Sequence, residues 1–263
     1  MSQKKPICFL VIAIALFWAH FGQASENETE PLAPLMEYLV EIAKHHQQEV
    51  LKPVPIVSIG GCPGVGKTYL AEILKITLQQ KDIKCVILSL DHFNLSPADR
   101  KKIGTEWDIR HFKVVELQQV LQAIFQGQKL IEKPTCNQLT GEMGTELMDL
   151  NAIDLILFDG LYALCSEAPL NFFDYCFAGI YLEAEEANIY KWKWERDQKK
   201  TQPRTEEQFT RHMKALMEEF HLNIAYSKIN ADFIIQKDEK HHYSLDFTTP
   251  NEKLSFKKIR FHQ

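Results

Sequence analysis

Apolar residues occur in two kinds of segment, short continuous runs and longer stretches in which they recur every three or four positions. The short runs predict five buried β-strands, at residues 56–59, 84–90, 153–158, 175–182 and 231–235. The longer stretches predict helices, at residues 69–80, 114–125, 184–199 and 206–224. Buried strands that alternate with amphipathic helices form parallel sheets covered on both faces. The pattern therefore predicts an α/β three-layer sandwich with a parallel five-stranded sheet.

One more helix is predicted before the first strand. Leu35, Leu39 and Ile42 have helical spacing, and this helix should end before Pro53, because the residue before a proline is pushed out of the helical region. Polar and apolar residues alternate only weakly after residue 240. We expect four regions: an N-terminal signal or anchor at 1–24, a helix at 25–52, the sheet domain at 53–240, and a tail or small hairpin at 241–263.

The first 24 residues have the pattern of a secretory signal peptide. Lys4 and Lys5 precede an apolar run of thirteen residues, and Gly22 and Ala24 stand at the −3 and −1 positions of a cleavage site. A helix of thirteen residues is about 20 Å long, shorter than a hydrocarbon core of ~30 Å. A secreted or periplasmic location is therefore expected. The alternative is an uncleaved membrane anchor, since Phe21 could extend the apolar run.

Composition and charge exclude several classes of protein. Of the 263 residues, 45% are hydrophobic and 25% are charged, which excludes a disordered or collagen-like chain. The formal net charge is −5, so no overall basic field is present to hold nucleic acid. Five cysteines follow Cys8, and their spacing contains neither a CxxC pair nor a metal-ligand pattern.

A phosphate-binding motif follows the first predicted strand and precedes a predicted helix. Its sequence is Gly61-Cys62-Pro63-Gly64-Val65-Gly66-Lys67-Thr68, which matches G-x-x-x-x-G-K-[ST]. Glycines let backbone N–H groups turn inward around phosphate oxygens, and the following helix directs its positive end at the anion. We expect Lys67 to reach the β- and γ-phosphates of ATP, and the Thr68 hydroxyl to bind Mg²⁺.

Two carboxylates follow predicted strands near this loop. Asp159 ends the strand at 153–158, where a second Mg²⁺ ligand is expected. Asp91 ends the strand that follows the loop's helix, so it should emerge near the γ-phosphate. There it could accept a proton from an attacking hydroxyl as a general base. The structural alternative is an aspartate that caps the turn before Ser96-Pro97.

Several further segments, in order along the chain, resemble the phosphoribulokinase/uridine kinase family of small-molecule kinases. These segments are Leu88-Ser89-Leu90-Asp91-His92-Phe93-Asn94, Glu106-Trp107-Asp108-Ile109-Arg110-His111-Phe112, Lys133-Pro134-Thr135-Cys136-Asn137, Leu157-Phe158-Asp159-Gly160, Arg196-Asp197 with Lys200 and Arg204, and Asn230-Ala231-Asp232-Phe233. The resemblance covers about residues 54–236.

The resemblance implies a role for each matching residue. Asp91 corresponds to the family's catalytic base, and Asp108, with Arg110 beside it, to its substrate-binding segment. Arg196 corresponds to the cationic lid that covers the transferring phosphate, and Lys200 and Arg204 are the nearest further cations, which we expect to bind the substrate. On a helix, Lys193 would share one face with Arg196 and Lys200. That arrangement favours a lid over a nucleic-acid surface.

The same resemblance implies an ATP- and Mg²⁺-dependent kinase that acts on a small hydroxylated metabolite of nucleoside, sugar or organic-acid type. Asn94 and Cys136 stand where nucleoside kinases of the family have tyrosine, and the lid lacks its R-G-R pattern. Two alternatives stay open. One is a degenerate nucleotide-binding effector or recognition module, and the other is an ATPase or GTPase switch that uses water.

The N-terminal pattern predicts cleavage after Ala24. Expression of the full chain in a secretion-competent host should yield a protein whose first residue is Ser25, as determined by N-terminal sequencing. Replacement of Ala24 by Phe should block this cleavage, because a large residue does not fit the −1 position. An intact N-terminus on membrane-bound wild-type protein would instead identify an anchor.

Overall fold

The computed structural model describes residues 30–48, 53–105, 107–136 and 142–247. The predicted signal or anchor segment and residues 248–263 lie outside the described residues. Six helices are present in the described part: α1 Ala33–Gln48, α2 Lys67–Gln79, α3 Pro97–Ile103, α4 Val114–Phe125, α5 Glu186–Gln198 and α6 Glu206–Asn223. The strands are β1 Ile56–Gly61, β2 Cys85–Ser89, β3 Leu130–Cys136, β4 Met143–Asp149, β5 Leu155–Asp159, β6 Ala178–Glu183, β7 Phe233–Lys237 and β8 Tyr243–Phe247.

The main sheet has the strand order β2-β5-β1-β6-β7-β8. Its first five strands are the five predicted from the sequence, and they pair in parallel. Every residue of β1 and of β5 is buried. Since alternate side chains of a strand point to opposite faces, complete burial means that both faces of the sheet are covered. The predicted α/β architecture is confirmed.

A sixth strand corrects the prediction of a five-stranded sheet. β8 pairs with β7 in antiparallel orientation and forms a hairpin with it. The turn is held by Asp238, whose carboxylate accepts hydrogen bonds from the backbone N–H groups of Lys240 and His242 at 2.8 Å each. Tyr243 is buried, whereas Ser244 and Asp246 are exposed. This edge strand therefore carries little of the apolar pattern that marks a buried strand.

A second sheet consists of the antiparallel strands β3 and β4. β4 was not predicted, because only Met148 within it is buried and the strand lacks an apolar run. Helix α3 was not predicted either, since none of its residues is buried. Strand β6 begins at Ala178, three residues later than predicted, because residues Phe172–Tyr175 form a 3-10 turn.

The carboxyl ends of the parallel strands bring the predicted site residues to one edge of the sheet. Asp159 lies opposite Ile59 of β1 on one side and Ser89 of β2 on the other. In open α/β sheets, ligands bind outside this edge, where neighbouring crossovers leave in opposite directions. No helix among the described residues has the length and apolar character of a membrane span.

Candidate active site

The phosphate-binding motif connects the central strand β1 to α2. The Cys62 N–H donates to the Leu182 carbonyl oxygen at 3.0 Å, which extends the pairing between β1 and β6 into the loop. α2 begins at Lys67, immediately after Gly66. The loop therefore leaves a buried strand and enters the positive end of a helix, the arrangement that favours a bound anion.

Two glycines allow the loop its close contacts. Gly61 has φ +126°, and a Cβ there would lie 2.0 Å from the Leu182 carbonyl oxygen. Gly64 has φ +78°, and a Cβ there would lie 2.6 Å from the Lys193 side chain. Backbone at positive φ strains any residue with a Cβ. Gly61 thus permits the approach to β6, and Gly64 lets Lys193 of α5, the helix predicted to form the lid, lie across the loop.

The Lys67 side chain is held by the loop itself. Its Nζ donates to the carbonyl oxygens of Gly61 at 3.2 Å and of Cys62 at 2.8 Å. Burial lowers the pKa of Lys67, while the nearby carboxylates of Asp159 and Asp91 act in the opposite direction. The structure therefore places an ammonium group between the loop and two acids. Its contact with phosphate stays a prediction.

Thr68 and Asp159 lie side by side at the loop. The Thr68 hydroxyl donates to Asp159 Oδ2 at 2.6 Å, and Asp159 is only 3% exposed. Burial raises the pKa of Asp159, and the hydrogen bond from Thr68 counteracts this effect. Mg²⁺ takes oxygen ligands, usually one or two carboxylates together with water and substrate phosphates. A hydroxyl and a carboxylate in contact fit that donor set, so these two residues would hold the ion.

Asp91 lies in a short 3-10 turn, Leu90–Phe93, that follows β2. Its backbone N–H donates to Ser89 Oγ at 3.3 Å, and its carbonyl oxygen accepts from Asn94 Nδ2 at 2.9 Å. Asp91 is close enough to influence the pKa of Lys67 and of Asp159. The predicted base therefore lies beside the predicted phosphate and metal ligands, and its turn is fixed by its neighbours.

The lid helix α5 brings cations over the loop. Lys193, which the sequence places on the same face as Arg196, packs against Gly64. Burial, together with the charges of Arg196, Lys67, Lys200 and Arg204, lowers the pKa of Lys193 to about 7. Lys193 was not among the predicted site residues. The helical stripe pointed to it, but the glycine contact that brings it to the loop depends on the folded chain.

Lys200 and Arg204 are held by a buried aspartate. Asp197 Oδ1 accepts from Lys200 Nζ and from Arg204 Nη1, both at 2.5 Å. Burial alone would raise the pKa of Asp197, but the hydrogen bonds from Lys200 and from the Arg204 backbone N–H, together with the charges of both residues, lower it to about 2. Contact of either cation with a substrate stays a prediction. In the structure, both form ion pairs with Asp197, which stabilise the connection between α5 and α6.

The acceptor side shows a similar pairing. Asp108 and Arg110 bind each other, since Asp108 accepts from Arg110 Nε at 2.9 Å and from Arg110 Nη2 at 2.5 Å. This hydrogen bonding lowers the pKa of Asp108. The Trp107 ring lies 6.3 Å from the ring of His212 on α6. The predicted substrate segment therefore packs against α6, while its contact with a substrate stays a prediction.

A further polar cluster lies next to Asp91 and was not predicted as part of the site. Lys133, 3% exposed on β3, forms an ion pair with Glu146 of β4 at 2.5 Å, and its Nζ lies 2.9 Å from Nδ1 of His92. Burial and the charge of Lys133 lower the pKa of His92. The β3–β4 sheet thus supports the turn that carries the predicted base.

Comparison with known proteins identifies the fold. The sequence model of the phosphoribulokinase / uridine kinase family matches residues 56–244 of this chain. The structure is similar to D-glycerate 3-kinase from Cryptococcus neoformans, with a TM-score of 0.62 and 13% identity over 82% of this chain and 98% of that one. It is also similar to phosphoribulokinase from Rhodobacter spheroides, with a TM-score of 0.57 and 17% identity over 70% of each chain. None of the curated proteins compared with the chain is similar in sequence.

The lowered pKa of Lys193 predicts that polyphosphate binding takes up a proton. Because this pKa is about 7, the side chain is mostly neutral at pH 8 in the free protein. A polyanion beside it favours the charged form, so the affinity for Mg·ATP should fall roughly tenfold between pH 7 and 9. Calorimetry at pH 8 in buffers of different ionisation enthalpy measures the uptake directly.

The matched control is Lys214→Met, which removes an exposed lysine of α6 that pairs with Glu218. It should leave the proton uptake unchanged, whereas Lys193→Met should abolish it. Uptake that persists in Lys193→Met would assign the proton to another group and contradict this interpretation.

Proposed function

Because the chain belongs to the phosphoribulokinase/uridine kinase family, we propose that it transfers the γ-phosphate of ATP to a hydroxyl group of a small metabolite. The observation that carries the proposal is the convergence of three groups at one sheet edge. They are the loop with Lys67, the contact between Thr68 and Asp159, and the aspartate Asp91 after the neighbouring strand.

Each group has a defined part in such a transfer. The loop amides and Lys67 bind the phosphates, and Thr68 and Asp159 would hold Mg²⁺, which would supply positive charge to the phosphate oxygens. Asp91 accepts the proton of the acceptor hydroxyl while the oxygen of that hydroxyl bonds to the γ-phosphorus. The bond to the β-phosphate oxygen breaks, and ADP leaves with the electron pair.

The lid residues serve charge stabilisation and exclusion of water. Arg196 and Lys193 lie on the helix above the loop, where they can approach the transferring phosphoryl group. Such a transfer requires mainly positioning and electrostatic stabilisation from the protein. The ion pairs of Asp197 with Lys200 and Arg204 fix the segment between α5 and α6.

The proposed acceptor is a hydroxylated metabolite bound beside Asp108 and Arg110. Four hydrogen bonds from Arg110 occupy both oxygens of the Asp108 carboxylate, but they leave other guanidinium N–H groups of the exposed Arg110 side chain able to contact a ligand. Relatives in fold include a glycerate kinase and a phosphoribulokinase. D-glycerate, ribulose phosphate and uridine are therefore the first acceptors to test.

The proposal predicts phosphorylation of at least one acceptor by the purified chain. Mass spectrometry of reactions with Mg·ATP should detect a product, and Lys67→Ala should lower its rate by about 10²–10³-fold, because it removes a cation from the transferring phosphate. Lys75→Ala is the matched control, since Lys75 lies on the same helix in an ion pair with Glu72. If the chain binds ATP but none of a broad acceptor panel yields product above Lys67→Ala, it is a nucleotide-binding module.

A second prediction separates a kinase from a switch that hydrolyses ATP with water. Asp91→Asn removes the base and should lower phosphotransfer by about 10²–10⁴-fold, with little change in Mg·ATP affinity. Asp82→Asn, at an exposed left-handed position that asparagine tolerates, should have no effect. Acceptor-independent ATP hydrolysis that persists unchanged in Asp91→Asn would favour the switch.

A further inference from the structure

A buried lysine outside the motif binds a backbone carbonyl oxygen of the phosphate loop. Lys237, the last residue of β7, is 9% exposed, and its Nζ donates to the Val65 carbonyl oxygen at 3.1 Å. The same Nζ lies close to Gly66, because a Cβ at that glycine would be 3.0 Å away. Burial of an ammonium group is unfavourable unless other groups compensate the lost hydration.

Aromatic rings from three elements surround this ammonium group. The ring centroids of Trp192, Tyr243 and Tyr69 lie 5.0, 5.7 and 6.0 Å from Lys237 Nζ. Trp192 belongs to the lid helix α5, Tyr243 to the edge strand β8, and Tyr69 to the first turn of α2. Cations near ring faces are stabilised by about 0.5–1 kcal/mol each, and by more when desolvated. The rings thus hold Nζ against the loop.

The contact acts on one particular peptide group of the loop. The carbonyl of Val65 and the N–H of Gly66 belong to the same planar, trans peptide unit, so they point in opposite directions. A cation that binds the carbonyl oxygen fixes this orientation and polarises the N–H. That N–H is one of the loop amides expected to face phosphate.

We propose that Lys237 is a positioning residue for the phosphate loop, and that it turns the Gly66 N–H toward the bound triphosphate and joins the loop to the lid helix through Trp192. The Trp192 ring also lies 4.7 Å from the ring of His241 in the β7–β8 turn. The edge hairpin, the lid helix and the loop therefore meet at one ammonium group. The inference rests on the proposed binding of a triphosphate.

The test measures binding and loop protection in the full-length chain. Lys237→Met should weaken binding of Mg·ATP and of inorganic tripolyphosphate about tenfold or more, as expected when a buried hydrogen bond from a charged group is lost. It should also speed amide hydrogen exchange at residues 61–68 in the ligand-free protein. Lys237→Arg, which restores a charged donor, should return both quantities to near the wild-type values.

Lys228→Met is the matched control. Lys228 also lies near a ring, 5.7 Å from the Tyr181 centroid, but it binds Glu183 instead of the loop. This variant should leave affinity and loop exchange unchanged. If Lys237→Met does not fold, Trp192→Leu decides the question, because loss of one ring should speed loop exchange.

The outcomes separate this inference from the proposed function. If the wild-type chain binds Mg·ATP and Lys237→Met binds it equally well, the role of Lys237 is overturned and the kinase proposal stands. If the wild-type chain binds neither Mg·ATP nor tripolyphosphate, the proposed function fails, and loop exchange in Lys237→Met alone decides whether the lysine orders the loop. Unchanged exchange in Lys237→Met or, where that variant does not fold, in Trp192→Leu overturns the inference.

Discussion

The site depends on hydrogen bonds from ammonium groups to the carbonyl oxygens of one loop. Lys67 donates to the carbonyls of Gly61 and Cys62, and Lys237 donates to that of Val65. Buried backbone carbonyls require partners, and the loop lies where β1 has ended and α2 has not yet begun. Because each peptide unit presents its carbonyl and its N–H in opposite directions, cations that bind the carbonyls leave N–H groups directed elsewhere. The N–H of Cys62 is taken by the Leu182 carbonyl oxygen, whereas the N–H of Gly66 is the donor that we propose Lys237 orients before any phosphate arrives.

The same arrangement concentrates positive charge, and the structure shows how the fold accommodates it. Asp197 pairs with Lys200 and Arg204, and Asp159 favours the charged form of Lys67. The pKa of Lys193 is lowered instead, so its ammonium group can lose a proton when no anion is bound. A bound polyphosphate would relieve the repulsion among these groups. The electrostatic balance of the folded chain is therefore better satisfied with an anion in the site than without one.

Sequence reasoning predicted the elements whose signals are local. The five parallel strands are continuous apolar runs, and the loop is a contiguous motif, so both could be read before folding. Strand β4 and helix α3 could not, because exposed elements lack hydrophobic periodicity. The surroundings of Lys237 could not be predicted either, because the three aromatic rings around it come from distant positions in the chain. The pairing of Asp197 with Arg204 depends on a turn between two helices, for which the cationic residues alone gave no signal.

The departures from the family pattern on the acceptor side do not by themselves indicate loss of activity. Asn94 stands where nucleoside kinases have tyrosine, yet its side chain donates to the Asp91 carbonyl and so holds the turn of the predicted base. Lys133 is buried and paired with Glu146, next to His92. Burial of charged and amide groups is unfavourable unless they have hydrogen-bond partners. Asn94 and Lys133 have such partners around the turn of the predicted base, so the change from tyrosine at position 94 does not leave that turn unsupported.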